Sequence, residues 1–154
     1  MLNRLPLLLL ADGRLPDGRT LQALARGQGV FALAAAAAVP AWLQAASMPF
    51  VLLAHGDFCL PALAAVRGDG RCRAALLLSP QGDPLTARAL PFPALVACHR
   101  PDPRYPRLIH AAGLATAWQA RLQLLSADGD PVDELAPLLA ELVRLAGQPL
   151  AGEC

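Results

Sequence analysis

The sequence predicts an α/β fold, a three-layer α/β/α sandwich on a mostly parallel sheet of about six strands. Short apolar runs alternate along the chain with segments that carry a helical apolar period, which is the order expected of βαβ units. Several of the runs contain no polar residue, as expected of strands covered by helices on both faces. The 154 residues are predicted to form one domain, 1–154, in which residues 146–154 are a frayed tail.

The predicted strands are short apolar runs, most of them flanked by Gly, Pro, Asp or Ser. The third run is apolar throughout, which predicts a central strand of the sheet. In chain order the predicted strands are residues 7–11, 29–33, 50–54, 74–78, 94–98 and 121–125.

The segments between these runs are predicted to be helices. Thr20 is the predicted N-cap of the first, because a hydroxyl at that position accepts a free backbone N–H. Pro40 lies in the first turn of the second, where its missing N–H leaves no hydrogen bond unmade. In chain order the predicted helices are residues 21–26, 39–46, 59–67, 106–118 and 132–145.

Charge and hydropathy exclude several kinds of partner and mechanism. The net charge is +1, which gives no electrostatic reason to bind nucleic acid or an anionic membrane surface. All 13 basic residues are Arg, so a lysine Schiff base is excluded. The apolar run at residues 7–11 is too short for a signal peptide, and Pro40 argues against a membrane span at residues 32–38.

The cysteines favour a reducing compartment. They contain no CxxC pair and no short framework spacing, which predicts free buried thiols. They are Cys59, Cys72, Cys98 and Cys154. We therefore predict a cytoplasmic protein without metal, cofactor, nucleic-acid or membrane partners.

Functional residues are expected where the predicted parallel strands end, because the loops there vary without disturbing the core. The five places to inspect share that location. They are residues 12–13, 55–57, 79–81, 99–103 and 126–130.

Four local patterns together resemble one family of small hydrolases. They are AHGDFCL at residues 54–60, AALLLSP at 74–80, LPFPALVACHRPDP at 90–103 and AWQARL at 117–122. Their order and spacing are similar to those of the YdeN-type serine hydrolases, known in animals as the retinoblastoma-binding-protein type. The resemblance implies a reduced α/β-hydrolase fold, with a nucleophile turn after the third strand.

The catalytic positions of that family are not retained. Its members use a serine that is activated by a histidine, which an aspartate orients. The resemblance places the serine at Gly56, the acid at Pro101 and the histidine at Asp130, so all three roles are vacant. It therefore implies a hydrolase-like protein without serine hydrolase activity. A binding or structural role would remain, toward a small apolar ligand, a protein partner or a second copy in a homodimer.

Other side chains leave a second interpretation open, that of an ester or acyl hydrolase with a non-standard nucleophile. Asp57 is one candidate nucleophile and Cys59 the other, with His99 as a base. The alternative for Asp57 is a solvated turn, and for Cys59 a small buried apolar residue in the helix. The residues predicted to surround a ligand are His55, Gly56, Asp57, Ser79, His99 and Asp102.

Overall fold

The computed structural model describes residues 5–26, 29–33, 36–82, 88–99, 107–126 and 128–147. Its strands are β1 Leu7–Leu10, β2 Val30–Leu33, β3 Phe50–His55, β4 Cys72–Leu78, β5 Ala94–His99 and β6 Arg121–Leu125. Its α-helices are α1 Pro16–Ala25, α2 Val39–Ala45, α3 Cys59–Val66, α4 Arg107–Trp118 and α5 Pro131–Ala146. Short 3-10 turns precede α2 and α3, at Ala36–Ala38 and Gly56–Phe58.

The six strands form one sheet in the order β2-β1-β3-β4-β5-β6, and every neighbouring pair is parallel. This confirms the predicted α/β class and the number of strands. Because the strands are parallel, the carboxyl ends of β1, β3, β4 and β5 all reach the same edge of the sheet.

Helices cover both faces of the sheet, which gives the three predicted layers. On β3, the side chains of Phe50 and Leu52 pack into one core with α2, α3 and α4, and Val51 and Leu53 pack into the other with α1 and α5. This alternation follows from the two-residue period of a strand. Every residue of β3 is buried, as predicted for a central strand.

The structure corrects the start of the first helix. α1 begins at Pro16 rather than at residue 21, with Leu15 as its extended N-cap residue. Thr20 lies inside the helix, where its hydroxyl donates to the Pro16 carbonyl at 3.1 Å, so the prediction that it caps the helix was wrong. Pro16 fits because the first turn of a helix has free N–H groups in any case.

A close contact explains the glycine within α1. A Cβ built on Gly18 would lie 1.9 Å from the carbonyl oxygen of Asp12, a distance that backbone atoms cannot tolerate. Only glycine therefore lets the helix approach the chain that leaves β1. This approach brings the first turn of α1 to the edge of the sheet where the strands end.

The other boundaries agree with the prediction to within about two residues, the usual uncertainty of element ends. β5 includes His99, which was expected to begin a loop. Pro101, Asp102 and Cys154 lie outside the described residues. None of the described helices is long and apolar enough to cross a membrane.

We predict that Gly18→Ala destabilises the protein by about 1–3 kcal/mol or more, because the new methyl group must push α1 away from Asp12. Gly68→Ala is the matched control, since a Cβ on Gly68 meets nothing within 4 Å. Urea unfolding of both variants measures the difference. Equal stability of the two variants would contradict the close approach.

Candidate functional site

The turn between β3 and α3, where the resemblance places a nucleophile, carries glycine. Gly56 follows the last residue of β3 and has φ +52°, a left-handed conformation that favours glycine. Its carbonyl accepts a hydrogen bond from the Gln81 N–H at 3.2 Å, which ties the turn to the end of β4. A Cβ at this position would meet no atom within 4 Å. A side chain here would therefore stand in open space, and the chain provides none.

An open cavity of about 430 Å³ lies beside this turn, at the carboxyl ends of β3, β4 and β5 and the start of α1. Five of the residues predicted to surround a ligand line it: His55, Gly56, Asp57, Ser79 and His99. The sixth, Asp102, lies outside the described residues. The rest of the described lining is Leu15, Pro16, Asp17, Phe58 and Gln81. The role of these residues in binding stays a prediction.

A hydrogen bond at the cavity joins His99 to a residue that the sequence analysis missed. The Nε2 atom of His99 lies 2.9 Å from Oδ1 of Asp17, across 82 residues of sequence. Burial alone would raise the pKa of Asp17, but the hydrogen bond and charge of His99, with the Ser79 side chain and His55, hold that pKa below its ordinary value. Asp17 is thus a carboxylate that binds two polar side chains at the rim of the cavity.

One sequence feature could have identified Asp17 as a site residue. It directly follows a proline, in the first turn of a helix. Acidic residues and Pro are both typical of helix starts. With α1 beginning at Pro16, Asp17 reaches the same edge of the sheet as His99. The predicted helix began later, so this carboxylate was not among the expected site residues.

Ser79 holds an uncommon backbone conformation at the end of β4. It is buried and has φ +47°, which is infrequent for a residue with a side chain. Its N–H donates to the Ala97 carbonyl at 2.7 Å, and its side chain hydrogen-bonds to Asp17. Strained residues of this kind collect at binding sites and active sites.

The side chain of His55 joins two segments of the fold through a hydrogen bond. It is buried, and its Nε2 atom accepts the backbone N–H of Asp12 at 3.0 Å. The ring also contacts Phe58, with 5.2 Å between the ring centroids. Burial lowers the pKa of His55, although the carboxylates of Asp17, Asp12 and Asp57 partly oppose this effect. The imidazole is therefore held neutral, with its proton on Nδ1, and it links the chain after β1 to the end of β3.

The remaining candidates lie in three different surroundings. Cys59 is completely buried in the core, and this burial raises the pKa of its thiol far above the ordinary value. Reactive cysteines are instead exposed and have lowered pKa values. Asp57 is exposed in the turn. Asp130 is the N-cap of α5, where its carboxylate accepts the Val132 N–H at 2.9 Å.

Among the described residues, no group of three or more His, Cys, Asp and Glu side chains is placed to hold a metal ion. The cavity contains four such residues, but they are engaged in different ways. His55 binds Asp12, and Asp17 binds His99. The arrangement favours hydrogen bonding to a ligand over ligation of a metal.

Comparison of the whole fold with solved structures finds several proteins of similar fold. The chain is similar to a proline iminopeptidase-related protein of Thermus thermophilus, with a TM-score of 0.64, 14% identity and coverage of 93% of this chain and 91% of that one. It is also similar to Est1E of Butyrivibrio proteoclasticus, with a TM-score of 0.57, 14% identity and coverage of 93% and 87%. Est1E with bound ferulic acid gives a TM-score of 0.60, 12% identity and coverage of 91% and 86%.

Sequence comparison adds nothing to this structural likeness. No protein-family model matches the chain, and no curated protein sequence matches it. At such low identity the structures establish the fold alone, which is α/β-hydrolase-like. The closer relation to the YdeN-type family stays a prediction.

We predict that Gly56→Ser folds but is less stable by about 1–2 kcal/mol, because a left-handed φ is costly for a residue with a Cβ. Gly68→Ser is the matched control, since it also adds a hydroxymethyl group in open space, at a residue without a left-handed φ. The free energies of unfolding in urea give the comparison. A Gly56→Ser variant that is more stable than the natural chain would contradict the left-handed conformation of residue 56.

The contribution of His55 to the free energy of unfolding is predicted to depend on pH. Because the folded state lowers the pKa of His55 below 6.5, its contribution to stability is complete above pH 6.5 and is lost as the pH falls toward the folded-state pKa. His55→Gln cannot titrate but retains a hydrogen-bond acceptor for the Asp12 N–H. The free energy of unfolding should therefore depend less on pH in the variant, below pH 6.5, than in the natural chain. Identical slopes would contradict the neutral, buried imidazole.

Proposed function

We propose that this protein is a non-catalytic member of the α/β-hydrolase-like fold that binds a small molecule in the cavity beside Gly56. The observation that carries the proposal is the turn itself. It has the left-handed backbone and the open space that would present a nucleophile, and it carries no side chain. Acyl transfer needs an attacking atom at that point, whereas ligand binding needs only the cavity.

The polar side chains around the cavity support the same conclusion. In a serine hydrolase the histidine must reach the nucleophile with one nitrogen and the acid with the other. Here Nε2 of His99 contacts Asp17, and Nε2 of His55 contacts a backbone N–H. Neither contact is one between a base and a nucleophile. The hydrogen bonds instead fix the rim of the cavity.

The lining indicates the chemical character of the ligand. Leu15, Pro16 and Phe58 supply an apolar surface, while Asp17, Ser79, Gln81 and His99 supply polar groups. A volume of about 430 Å³ is within the range of small-molecule sites. We infer a ligand with an apolar body and a hydrogen-bonding group, such as an alcohol, an amide or an aromatic acid.

The non-standard hydrolase is the weaker alternative. Cys59 is buried and has a raised pKa, so it would have to leave the core to react. Asp57 is exposed at the turn and lines the same cavity as His99, which is the observation in its favour. A carboxylate nucleophile needs a base to release the product, and the described contact of His99 is with Asp17 rather than with Asp57.

The origin and the location of the protein are part of the proposal. The four sequence patterns support descent from the YdeN-type hydrolases, with loss of the serine, the acid and the histidine. Cys59, Cys72 and Cys98 are buried, and Cys59 and Cys72 are free thiols, which fits a reducing compartment such as the cytoplasm.

We predict that Leu15→Trp prevents ligand binding by placing a larger side chain at the wall of the cavity. Met48→Trp is the matched control, because Met48 is about as exposed as Leu15, at 46% and 48%, and does not line the cavity. A panel of small alcohols, amides and aromatic acids, with ferulic acid included, is screened by NMR chemical-shift perturbation. The expected result is at least one compound that shifts signals of the lining residues in the natural chain and in Met48→Trp, but not in Leu15→Trp. Absence of any such compound, or binding that survives Leu15→Trp, would contradict the proposed site.

A further inference from the structure

We propose that two copies of this chain form a dimer by antiparallel pairing of their β6 strands, which joins the two sheets into one. β6 lies at the end of the strand order, with β5 as its neighbour. The outer edge of such a strand presents backbone N–H and C=O groups that favour pairing with another strand. None of the residues of β6 lines the cavity beside Gly56.

Two apolar side chains on this edge strand are partly exposed. Leu122 and Leu124 are 36% and 39% exposed. They are two residues apart and therefore share one face of the strand. α4, on that side of the sheet, packs mainly against β5, and these leucines stay partly exposed.

The strand also lacks the features that usually prevent pairing. Edge strands are commonly protected by Lys, Pro, bulges or inward-pointing charges. β6 contains no Lys, Pro or Gly, and its one charged residue, Arg121, is at its first position. Its register with β5 is regular from Leu95↔Arg121 to His99↔Leu125, so no bulge interrupts it.

The sequence of β6 is complementary to itself about Gln123. A two-fold axis at that residue places Leu122 of one copy opposite Leu124 of the other, twice in the dimer. Opposed side chains in an antiparallel pair lie about 4.5–5.5 Å apart at Cβ and stabilise it by packing. The four leucines would then cover one another on the face that α4 leaves open.

Charge complementarity on the opposite face selects a second copy as the partner. Arg121 and Leu125 lie on the face covered by α5, where Leu125 is buried with residues of that helix. The Glu134 carboxylate of α5 accepts the Ser126 N–H at 3.0 Å, just beyond the end of β6. The two-fold axis places Arg121 of one copy opposite Leu125 of the other, and hence beside its Glu134. Each dimer would contain this Arg–Glu pair twice.

The first test is the mass in solution, by light scattering coupled to gel filtration and by sedimentation equilibrium. The natural chain should have twice its 16.1 kDa mass. Leu124→Lys should raise the dimer dissociation constant by about 100-fold or more, since two lysines would then lie opposite apolar side chains. Val30→Lys is the matched control, because Val30 is 37% exposed on β2 at the other edge of the sheet. It should leave the dimer unchanged.

The second test fixes the register and does not depend on a destabilising variant. Gln123→Cys, in a Cys154→Ser background, should form a disulfide-linked dimer on mild oxidation, because the Cα atoms of a directly opposed pair lie about 4.5–5.5 Å apart. Gln44→Cys, on the exposed face of α2, should not. A third variant pair tests the charges: Arg121→Glu should weaken the dimer, and adding Glu134→Arg should restore it.

Circular dichroism and thermal melting confirm that each variant is folded. A monomer at all accessible concentrations, a dimer insensitive to Leu124→Lys, a dimer disrupted by Val30→Lys, or absence of the Gln123→Cys crosslink would each overturn the proposal.

Discussion

The burial of β3 on both faces is the constraint on which the rest of the structure depends. This strand lies between β1 and β4, and its alternate side chains form part of two separate cores. Because all six of its residues are buried, it must be covered by helices on both sides, and the chain must leave the sheet sharply at its end. The left-handed Gly56 provides that exit, and α3 then packs back onto the sheet.

The parallel register of the strands determines where the cavity lies. It brings the ends of β3, β4 and β5 to one edge, and the close approach of Gly18 to Asp12 adds the first turn of α1. Asp17 then meets His99, and His55 binds the backbone of Asp12. The side chains that have catalytic potential are thus employed in joining segments of the fold. What they leave between them is a cavity with a polar rim, in which we propose that a ligand binds.

The strands of the sheet could be predicted from the sequence because each is indicated by a short run of neighbouring residues. An uninterrupted apolar run, as at β3, predicts a doubly covered strand wherever it occurs, and a glycine directly after it predicts a sharp turn. The start of α1 could not be predicted in the same way. Pro16 and Gly18 weaken the helical signal of that segment, and the reason for Gly18 is a contact with Asp12 that is visible only in three dimensions.

The polar network was predictable only in part. The positions of His55 and His99 at strand ends placed them correctly at the cavity, since parallel strands share an edge. Their partners did not follow from the sequence. The described contact of His99 is with Asp17, which is 82 residues distant in the chain. Such pairs depend on how a helix is placed over the sheet, and no local pattern contains that information.

Covalent labelling tests the central claim, a nucleophile turn without a nucleophile, most directly. Purified protein is treated with a fluorophosphonate and, separately, with iodoacetamide. Adducts are located by intact-mass spectrometry and peptide mapping. The turnover of short-chain esters is measured on the same preparation. The account predicts no fluorophosphonate adduct, no alkylation of buried Cys59 in the folded protein and no turnover above the buffer rate. An adduct on a serine or on Cys59, together with turnover that its substitution abolishes, would contradict the account and establish a rebuilt active site.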